Sequence, residues 1–456
     1  MTVSRDGEGA TGALGISSTG TRRSPNVIVA LCFAALICDG YDLVVYGATV
    51  PSLLGYERWG LTAMEAGAIG SFTLVGMLIG ALASGAASGR FGPRRLFLGS
   101  MVWFATAMGL CALAPSPEVF GIFRFIGGLG LGGFVPVSVA LIIEFSPPSR
   151  RQLNNALSCC GYCLGGIAAA VAGIVLLPDL GFRWMYALCL LPLVTVLPLA
   201  LRYLPESPSY LESRGRVKDA IAVAHDFGVE RTGPASSESS GSDSASMRDL
   251  LKPTHRRAAT LFTVAAFCGL LMTYGISTWL PQIMKQAGYS LGSSLMFLLV
   301  LNAGAMIGVL IASTLADRLG SRKVTATVLL LAAVSILMLS FRMPLPMLYV
   351  FVAIAGLGTI GTQILIMGSV GTVFRGTLRA PAIGLTIGIG RAGAVVGPII
   401  GGWIAASTLG YQWNFYAFSV FAVIGMAAIL MISVGPSPRA DRPGAAERVD
   451  SALVSD

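Results

Sequence analysis

Twelve long apolar runs constrain the fold of this chain more than any other feature. Each run reaches or exceeds the roughly 18 residues that mark a helix spanning a bilayer. The runs occupy residues 27–50, 65–88, 96–114, 118–144, 153–177, 183–203, 258–280, 291–315, 324–341, 345–374, 380–406 and 412–434. Only 12% of the residues are charged, whereas an average soluble domain has roughly 25%. The sequence therefore predicts an all-α integral membrane protein with twelve transmembrane helices, and it argues against nucleic-acid binding and ordinary cytosolic catalysis.

The net charge of +9 is interpreted as an orientation signal rather than as a patch for a polyanion. Of the 31 Lys and Arg residues, 24 lie in the tails and even-numbered connections, 4 in the odd-numbered connections, and 3 in or at the edge of apolar runs. Because Lys and Arg concentrate in cytoplasmic loops, both termini are predicted to face the cytoplasm. The chain is expected to be a multi-pass protein of the cell inner (plasma) membrane.

Polar segments divide the chain into two halves. Residues 205–257 form the longest internal polar stretch, and they are predicted to be a cytoplasmic loop with some surface helix. This loop separates a predicted six-helix bundle at 25–204 from a second one at 258–434. The tails 1–24 and 435–456 lack a core-forming pattern and are predicted to be disordered in the cytoplasm.

The cysteines and histidines give no sign of a metal or redox centre. Every cysteine lies in an apolar run, where it behaves as a small hydrophobic residue. The cysteines are Cys32, Cys38, Cys111, Cys159, Cys160, Cys163, Cys189 and Cys268. No disulfide, metal or cofactor is expected. Because His225 and His255 both fall in the predicted central loop, a proton carrier inside the membrane would have to be a carboxylate.

Two short motifs of the first half recur in the second half. The connection GAASGRFGPRR, from Gly85 to Arg95, reappears as STLADRLGSRK, from Ser313 to Lys323, displaced by 228 positions in the 456-residue chain. GYCLGG in the fifth run, at 161–166, corresponds to GAVVGP in the eleventh, at 393–398. Small residues four apart let two helices approach closely. Such internal repeats are typical of transporters built from two related bundles.

These features resemble the major facilitator superfamily of secondary transporters. The resemblance rests on the two six-helix halves, the repeated basic connection, RFIGGLGLG at 124–132 and PESP at 205–208. Within the superfamily, DGYDLVVYGATVP at 39–51 is similar to the signature of the aromatic acid:proton symporter family, as are WLP at 279–281 and GIGRAGAVVGPIIGG at 388–402. The resemblance implies the major facilitator fold and the import of an aromatic acid with protons.

One position departs from the superfamily pattern. The first basic connection has Gly89 where the pattern has an aspartate, whereas the second copy keeps Asp317. If that aspartate latches the cytoplasmic gate, the latch of the first half is either weakened or rebuilt from other groups. The sequence leaves both possibilities open.

A few ionisable residues lie inside the apolar runs, where a charge is costly and usually functional. Asp39, Asp42, Arg124 and Arg391 lie well inside. At about 1.5 Å per residue, Asp42 and Arg124 lie at depths that an arginine side chain can bridge, and Arg391 lies near the midplane, where transporter substrates bind. We hypothesise that Asp39 and Asp42 take up the proton, that Arg124 tunes them, and that the planar fork of Arg391 holds the substrate carboxylate.

The remaining charged candidates lie near the cytoplasmic ends of the runs. Glu144 is too far along its helix to pair with Arg124, and it is expected to serve a cytoplasmic gate. The predicted gate residues are Glu144, Arg90, Arg94, Asp317 and Arg318. Matching positions of aromatic acid symporters imply a transport role for the two aspartates of the first run, for Arg124 and for Glu144.

Simpler structural roles stay open for several of these residues. Arg124 could pair with Asp42 only to hold the first bundle together, and Asp39 could hydrogen-bond to backbone near Gly40. Glu144 and Asp317 could form gate salt bridges and nothing more. Aromatic side chains expected to line a cavity for an aromatic ring are Tyr41, Tyr46, Phe134, Tyr162, Tyr274 and Trp279.

The predicted function is import of an aromatic carboxylate with protons by alternating access, in a protein expected to be monomeric. An inside-negative potential opposes anion uptake by about 2.3 kcal/mol per 100 mV, and a co-transported proton removes that cost. Benzoate is favoured because DGYDLVVYG looks closest to the benzoate branch, while hydroxybenzoates, gentisate and protocatechuate stay open. The alternative is proton-coupled efflux, or uptake of another small organic solute, by the same fold.

The rival classes fit the sequence less well. A drug/proton antiporter would be expected to carry GxxxGPxxGG in the fifth run, and here that form appears in the eleventh. A sugar porter shares PESP, but DGYD fits it poorly. A receptor would usually add a soluble signalling domain, and the central loop is too short and polar to be one. An enzyme is not expected, because no nucleophile pair, metal cluster or cofactor loop appears.

Overall fold

The computed structural model describes residues 24–147, 150–229, 250, 252–374 and 378–432. This described part contains no strand and has twelve helices long and apolar enough to cross a membrane, which confirms the predicted fold class. The tails that we predicted to be disordered lie outside the described residues, apart from residue 24, and so does much of the central polar segment. The side chain of Cys159 lies outside them too.

We number the membrane-crossing helices as spans 1 to 12. The first six are Asn26–Leu54, Ala63–Phe91, Pro93–Leu110, Pro117–Phe145, Arg151–Leu180 and Phe182–Tyr203. The second six are Pro253–Gln286, Leu291–Leu319, Ser321–Met338, Leu345–Val373, Arg379–Ala406 and Gln412–Leu430. Between the two sets lie the short helices Pro208–Ser213 and Val217–Phe227.

Two spans are not regular helices. Span 6 is divided into Phe182–Ala187, Leu191–Val194 and Val196–Tyr203, with a short 3₁₀ turn after its first piece. Span 10 contains a π-helical turn at Leu357–Gly361, between the α-helical segments Leu345–Gly356 and Thr362–Val373. Such turns insert an extra residue into a helix and are frequent at functional sites.

Span 7 begins earlier than the sequence predicted. Its helix starts at Pro253, so His255 lies on this helix and not in the central loop. The imidazole of His255 lies 6.1 Å from the ring of Phe374, measured between centroids. The polar composition of residues 253–257 hid this first turn from a reading based on apolar runs.

Within each half, glycines let paired helices pack at backbone distance. A Cβ atom added at Gly165 in span 5 would overlap the carbonyl of Ile37 in span 1. A Cβ atom added at Gly393 in span 11 would overlap the carbonyl of Phe267 in span 7. The close approach predicted from the repeated glycine motifs is therefore confirmed in both halves.

We call the side carrying the connections after spans 2, 4, 6, 8 and 10 the basic face, and the other side the opposite face. Three of the helices that start at the opposite face, spans 2, 4 and 8, begin at a side-chain cap. Thr62 and Glu65 form a reciprocal capping box at the start of span 2, and Ser116 and Ser290 cap spans 4 and 8. A cap of this kind stabilises a helix by about 1 kcal/mol.

The two halves touch toward the opposite face. Lys285 Nζ donates to the Pro51 carbonyl at 3.3 Å, and Ser71 Oγ donates to the Val395 carbonyl at 2.6 Å. Nearer that face, Gly67 in span 2 lies so close to span 11 that an added Cβ atom would come within 2.7 Å of the Pro398 carbonyl.

Toward the basic face, spans 2 and 11 separate. The same stripes of these helices continue through Gly85 on span 2 and through Gly384 and Gly388 on span 11. A Cβ atom added at any of these three glycines would meet no described atom within 4 Å. Spans 2 and 11 are therefore in contact toward the opposite face and apart toward the basic face.

Candidate functional site

A cavity of about 230 Å³ lies between the two halves. It is lined by Leu74, Met77, Leu270, Tyr274, Gln363, Ile364, Met367, Ile387, Arg391 and Ala394. An apolar wall with a few polar groups is typical of small-molecule sites, and those for drug-sized ligands measure about 300–1,000 Å³. The smaller volume here suits a ligand of about one ring.

Arg391 is the cation of this cavity. Its side chain is half-buried, and Nη1 donates to the Met77 carbonyl of the other half at 3.5 Å. The long distance makes this a weak hydrogen bond, so the guanidinium fork keeps donors for a ligand. A guanidinium holds a carboxylate well because two parallel N–H groups match its two oxygens.

Asp39 is the buried carboxylate of span 1 that interacts electrostatically with Arg391. Asp39 is 2% exposed, and the positive charge of Arg391 acts on it across the boundary between span 1 and span 11. The two do not form an ion pair, and Asp39 Oδ1 has no hydrogen-bond partner among the described residues. Sequence reasoning selected both residues but did not bring them together.

Asp42 lies one helical turn further along span 1, where the charges of the two carboxylates act on each other. It is 1% exposed and interacts with the thiol of Cys189 and with the charge of Arg124. Asp42 Oδ2 has no hydrogen-bond partner among the described residues. The two aspartates therefore face different arginines, Asp39 that of the second half and Asp42 that of the first.

Arg124 is buried without a direct ion pair to Asp42. Its guanidinium lies over the ring of Tyr46, with 4.1 Å from Cζ to the ring centroid. Its Nε and Nη1 atoms have no hydrogen-bond partner in the described part of the chain. A desolvated cation–π contact contributes about 2 kcal/mol, which offsets only part of the cost of burying this charge.

Most of the aromatic residues expected in the cavity are directed elsewhere. Tyr274 lines it, and Tyr162 interacts with Tyr274. By contrast, Tyr41 donates its hydroxyl to the Met185 carbonyl at 3.0 Å, and Trp279 donates Nε1 to the Pro398 carbonyl at 2.8 Å. A buried hydroxyl or indole N–H needs an acceptor. In these two residues the acceptor is a backbone carbonyl at a helix–helix contact, and neither lines the cavity.

Two further aromatic side chains that were predicted to line the cavity, Tyr46 and Phe134, also lie outside it. The ring of Tyr46 lies under Arg124, and its hydroxyl donates to the Ala66 carbonyl. Phe134 packs against Phe97 and Phe104, with centroid separations of 5.0 and 5.1 Å. These rings belong to the packing of the first half.

At the basic face, Glu144 is bound by the segment that follows span 6. Its Oε1 accepts hydrogen bonds from Ser207 Oγ at 2.8 Å and from the Ser209 backbone N–H at 2.9 Å. Of the arginines predicted at the gate, Arg94 bonds to other groups. Arg94 donates its backbone N–H to Glu206 and its Nη2 to the Leu201 carbonyl.

The connection containing Gly89 is held through its backbone. Arg214 Nη2 donates to the carbonyls of Gly89 and Arg90 at 2.9 and 2.7 Å, and the Tyr210 hydroxyl donates to the Arg90 carbonyl at 3.1 Å. These hydrogen bonds hold the connection to the segment that follows span 6, within the first half. In the second copy, the side chains of Asp317 and Arg318 are exposed and make no hydrogen bond to another described residue.

Gln363 is a cavity residue that sequence reasoning missed. It follows the π-helical turn of span 10, and its Nε2 donates to the Ala266 carbonyl of span 7 at 3.2 Å. A single uncharged polar residue in an apolar run is common, so it drew no attention. The glycines around it, in AGLGTIGTQ at 355–363, were the only available signal.

Comparisons with known proteins agree with this arrangement. The family model of the Major Facilitator Superfamily matches residues 32–314 and 300–455. The chain belongs to the major facilitator superfamily. This result confirms the resemblance seen in the sequence.

Relatives within the superfamily transport aromatic acids. The chain is 37% identical to the gentisate transporter of Corynebacterium glutamicum, covering 92% of this chain and 89% of the relative. It is 33% identical to the benzoate transport protein of Acinetobacter baylyi, covering 89% of each. In fold, this superfamily member is similar to the inward-open xylose transporter XylE from E. coli, with a TM-score of 0.70, 16% identity and coverage of 94% and 99%.

Proposed function

We propose that this protein imports an aromatic carboxylic acid together with protons by alternating access of its two halves. The observation that carries the proposal is the guanidinium of Arg391, half-buried in an otherwise largely apolar cavity between the halves. An apolar wall suits an aromatic ring, and the guanidinium suits its carboxylate. The names of the relatives, a gentisate transporter and a benzoate transport protein, support this substrate class.

The position of Asp39 supports the proposed proton coupling. The substrate carboxylate would compete with Asp39 for the charge of Arg391. When the substrate carboxylate binds the guanidinium, Asp39 takes up a proton, so the net charge of the cavity does not change. Asp42, with Arg124 beside it, is the second proton-accepting group. A proton carried with the anion removes a cost of about 2.3 kcal/mol per 100 mV.

Alternating access requires the contacts of the opposite face to break while new contacts form at the basic face. In this proposal the Lys285–Pro51 and Ser71–Val395 hydrogen bonds are the ones that open toward the outside. The basic face is then the cytoplasmic one, as the distribution of Lys and Arg predicts. We further propose a monomer in the inner membrane with both termini in the cytoplasm.

The test is uptake of radiolabelled benzoate and 4-hydroxybenzoate into cells that express the protein, with and without a protonophore. We expect saturable uptake that collapses with protonophore. The variants Asp42→Asn and Arg391→Ala should each lower uptake at least tenfold, because each removes a charged group that the transport cycle needs. Matched controls are Asp226→Asn and Arg342→Ala, which make the same changes at exposed positions outside the spans.

Two results would contradict the proposal. One is uptake that survives both the protonophore and Asp42→Asn, which would remove proton coupling. The other is no uptake of any aromatic acid, with proton release on addition of a cationic dye, which would make the protein an exporter.

A further inference from the structure

We propose that Gln363 selects among aromatic acids by accepting a hydrogen bond from a hydroxyl group on the ring, while Arg391 holds the carboxylate. This inference rests on the proposed function, because it concerns the same cavity. It assigns preferred substrates: aromatic acids that carry a ring hydroxyl rather than unsubstituted benzoate.

The orientation of the Gln363 amide is set by its neighbour. The Ala266 carbonyl can only accept, so the amide nitrogen must face it, at 3.2 Å. The amide oxygen therefore points away from that carbonyl. It accepts no hydrogen bond from the described residues, and it is not among their buried side-chain atoms that lack a partner. Gln363 is half-buried and lines the cavity, so this oxygen is available to a ligand.

Gln363 and Arg391 approach the same turn of span 7. Gln363 contacts Ala266 from span 10. Gly390, the neighbour of Arg391 on span 11, lies so close to Ala266 that an added Cβ atom would be 3.0 Å from the Ala266 Cβ atom. The acceptor and the cation are therefore two polar groups at one level of the cavity.

The wall around these two groups is apolar. Leu270, Ile364 and Met367 line the cavity beside them, and Met77 faces them from the first half. Methionine sulfur makes favourable contacts with aromatic rings, about 0.3–1.5 kcal/mol each. A ring held between such side chains can present its carboxylate to Arg391 and a ring substituent to Gln363.

The position of the amide depends on two special features of the backbone. The π-helical turn at Leu357–Gly361 sets the register of the segment that carries Gln363. Gly269 on span 7 provides the space, because a Cβ atom there would lie 2.5 Å from Nε2 of Gln363. A larger residue at 269 would push the amide out of place.

An amide oxygen distinguishes substituents by whether they can donate. A hydroxyl donates to it, whereas a ring hydrogen or a fluorine does not, and the desolvated oxygen is then left unpaired. We expect the wild-type protein to prefer 3- or 4-hydroxybenzoate over benzoate and 4-fluorobenzoate by about tenfold in apparent affinity, the effect of one hydrogen bond.

The experiment measures this preference in each variant by uptake of radiolabelled 4-hydroxybenzoate and of radiolabelled benzoate. Each is competed by four unlabelled acids: benzoate, 3-hydroxybenzoate, 4-hydroxybenzoate and 4-fluorobenzoate. Gln363→Met keeps the length of the side chain and removes the acceptor, so the preference should fall to about one. Gly269→Ala keeps the amide but displaces it, so the preference should also fall. Gln286→Met makes the same exchange at the exposed end of span 7 and should leave the preference unchanged.

The preference is a ratio within one variant, so lower expression or partial misfolding does not change it. An unchanged ratio in Gln363→Met or in Gly269→Ala would overturn the inference. An equal loss of affinity for hydroxylated and plain acids would also overturn it, because Gln363 would then serve packing alone. These results leave aromatic acid transport intact, whereas a wild-type protein that carries none of the four acids overturns the proposed function itself.

Discussion

The connections after spans 2 and 8 are two copies of one sequence, and comparing them separates what the fold needs from what each half adds. Both turn through a glycine with positive φ, Gly92 at 88° and Gly320 at 91°. Both place an arginine two residues later, and each arginine donates to carbonyls at the end of the sixth helix of its half. Arg94 reaches Leu201, and Arg322 reaches Ile429 and Leu430.

The halves differ in what surrounds this shared turn. In the first half, Glu206, Tyr210 and Arg214 bond to the connection, and Glu144 binds the segment that carries them. In the second half, Asp317 stands at the position that Gly89 occupies in the first, and its side chain is exposed. Both halves thus use an arginine to bond to the end of a helix. The carboxylate that the motif has at Asp317 is not needed to form the turn, because the first half forms the same turn with Gly89.

The largest expected effect comes from the two glycines. Gly320→Ala should lower stability by about 1–2 kcal/mol because of its positive φ. Gly92→Ala should cost about 3 kcal/mol, because its Cβ atom would also come within 2.8 Å of Tyr210 and 2.9 Å of Glu206. Both of those side chains are held by hydrogen bonds. The measurement is the apparent melting temperature in detergent, with Gly99→Ala, at an open helical position, as the control. Equal shifts at 92 and 320 would contradict the comparison.

The two capping arginines should differ by a smaller amount. Arg322→Ala removes hydrogen bonds to two carbonyls and should cost about 2 kcal/mol. Arg94→Ala removes one side-chain hydrogen bond, and it also removes a buried Nε that has no partner, so about 1 kcal/mol is expected. Lys323→Ala and Arg95→Ala, at the neighbouring exposed positions, serve as controls in the same melting assay. A larger loss for Arg94→Ala would show that the first half depends more on its cap.

The carboxylates of the two halves should also behave differently. Glu144→Gln weakens two hydrogen bonds that the side-chain carboxyl group accepts and should lower stability by about 1 kcal/mol. Asp317→Asn should change it by less than about 0.5 kcal/mol, as is usual for exposed positions. Thermal unfolding of both variants decides the matter. If Asp317→Asn were the more harmful change, the second connection would have a partner in another conformation.

The smallest effect is expected where the motif departs from the superfamily pattern. Gly89→Asp places a carboxylate where a Cβ atom meets no described atom within 4 Å. Stability should stay within about 0.5 kcal/mol of wild type, and uptake of 4-hydroxybenzoate should stay within about twofold, because Arg214 already bonds to the backbone there. A several-fold change in uptake rate would show that the absent carboxylate controls switching between states.

The sequence predicted the fold well because its signals are local. The twelve apolar runs and the glycine pairs of spans 5 and 11 each depend on residues close together in the chain. The repeat joins two distant segments, but each copy is a short stretch that can be read directly from the sequence. The start of span 7 was missed because its first turn is polar and continues beyond the apolar core of the helix.

The site was predicted only in part because its contacts join distant helices. Depth along a helix placed Arg391 near the middle of span 11, but depth gives no rotation about the helix axis, so it could not pair Arg391 with Asp39. The same limit explains why Tyr41 and Trp279 were expected in the cavity. Gln363 was missed for a different reason, since a single uncharged polar residue in an apolar run is common and the glycines around it were the only signal of the π-helical turn.

The π-helical turn in span 10 also affects how the substrate specificity of the cavity would change in evolution. Each residue advances an α-helix by about 100°, since a turn takes 3.6 residues. Before the turn, Gly356 packs against Leu301 of span 8, and after it Gln363 reaches span 7. Deleting one residue from Leu357–Gly361 would rotate the Gln363 side chain by about that angle while leaving the segment before it in place. If Gln363 selects substrates as we propose, the loss of one codon would change the substrate preference while the twelve spans stayed the same.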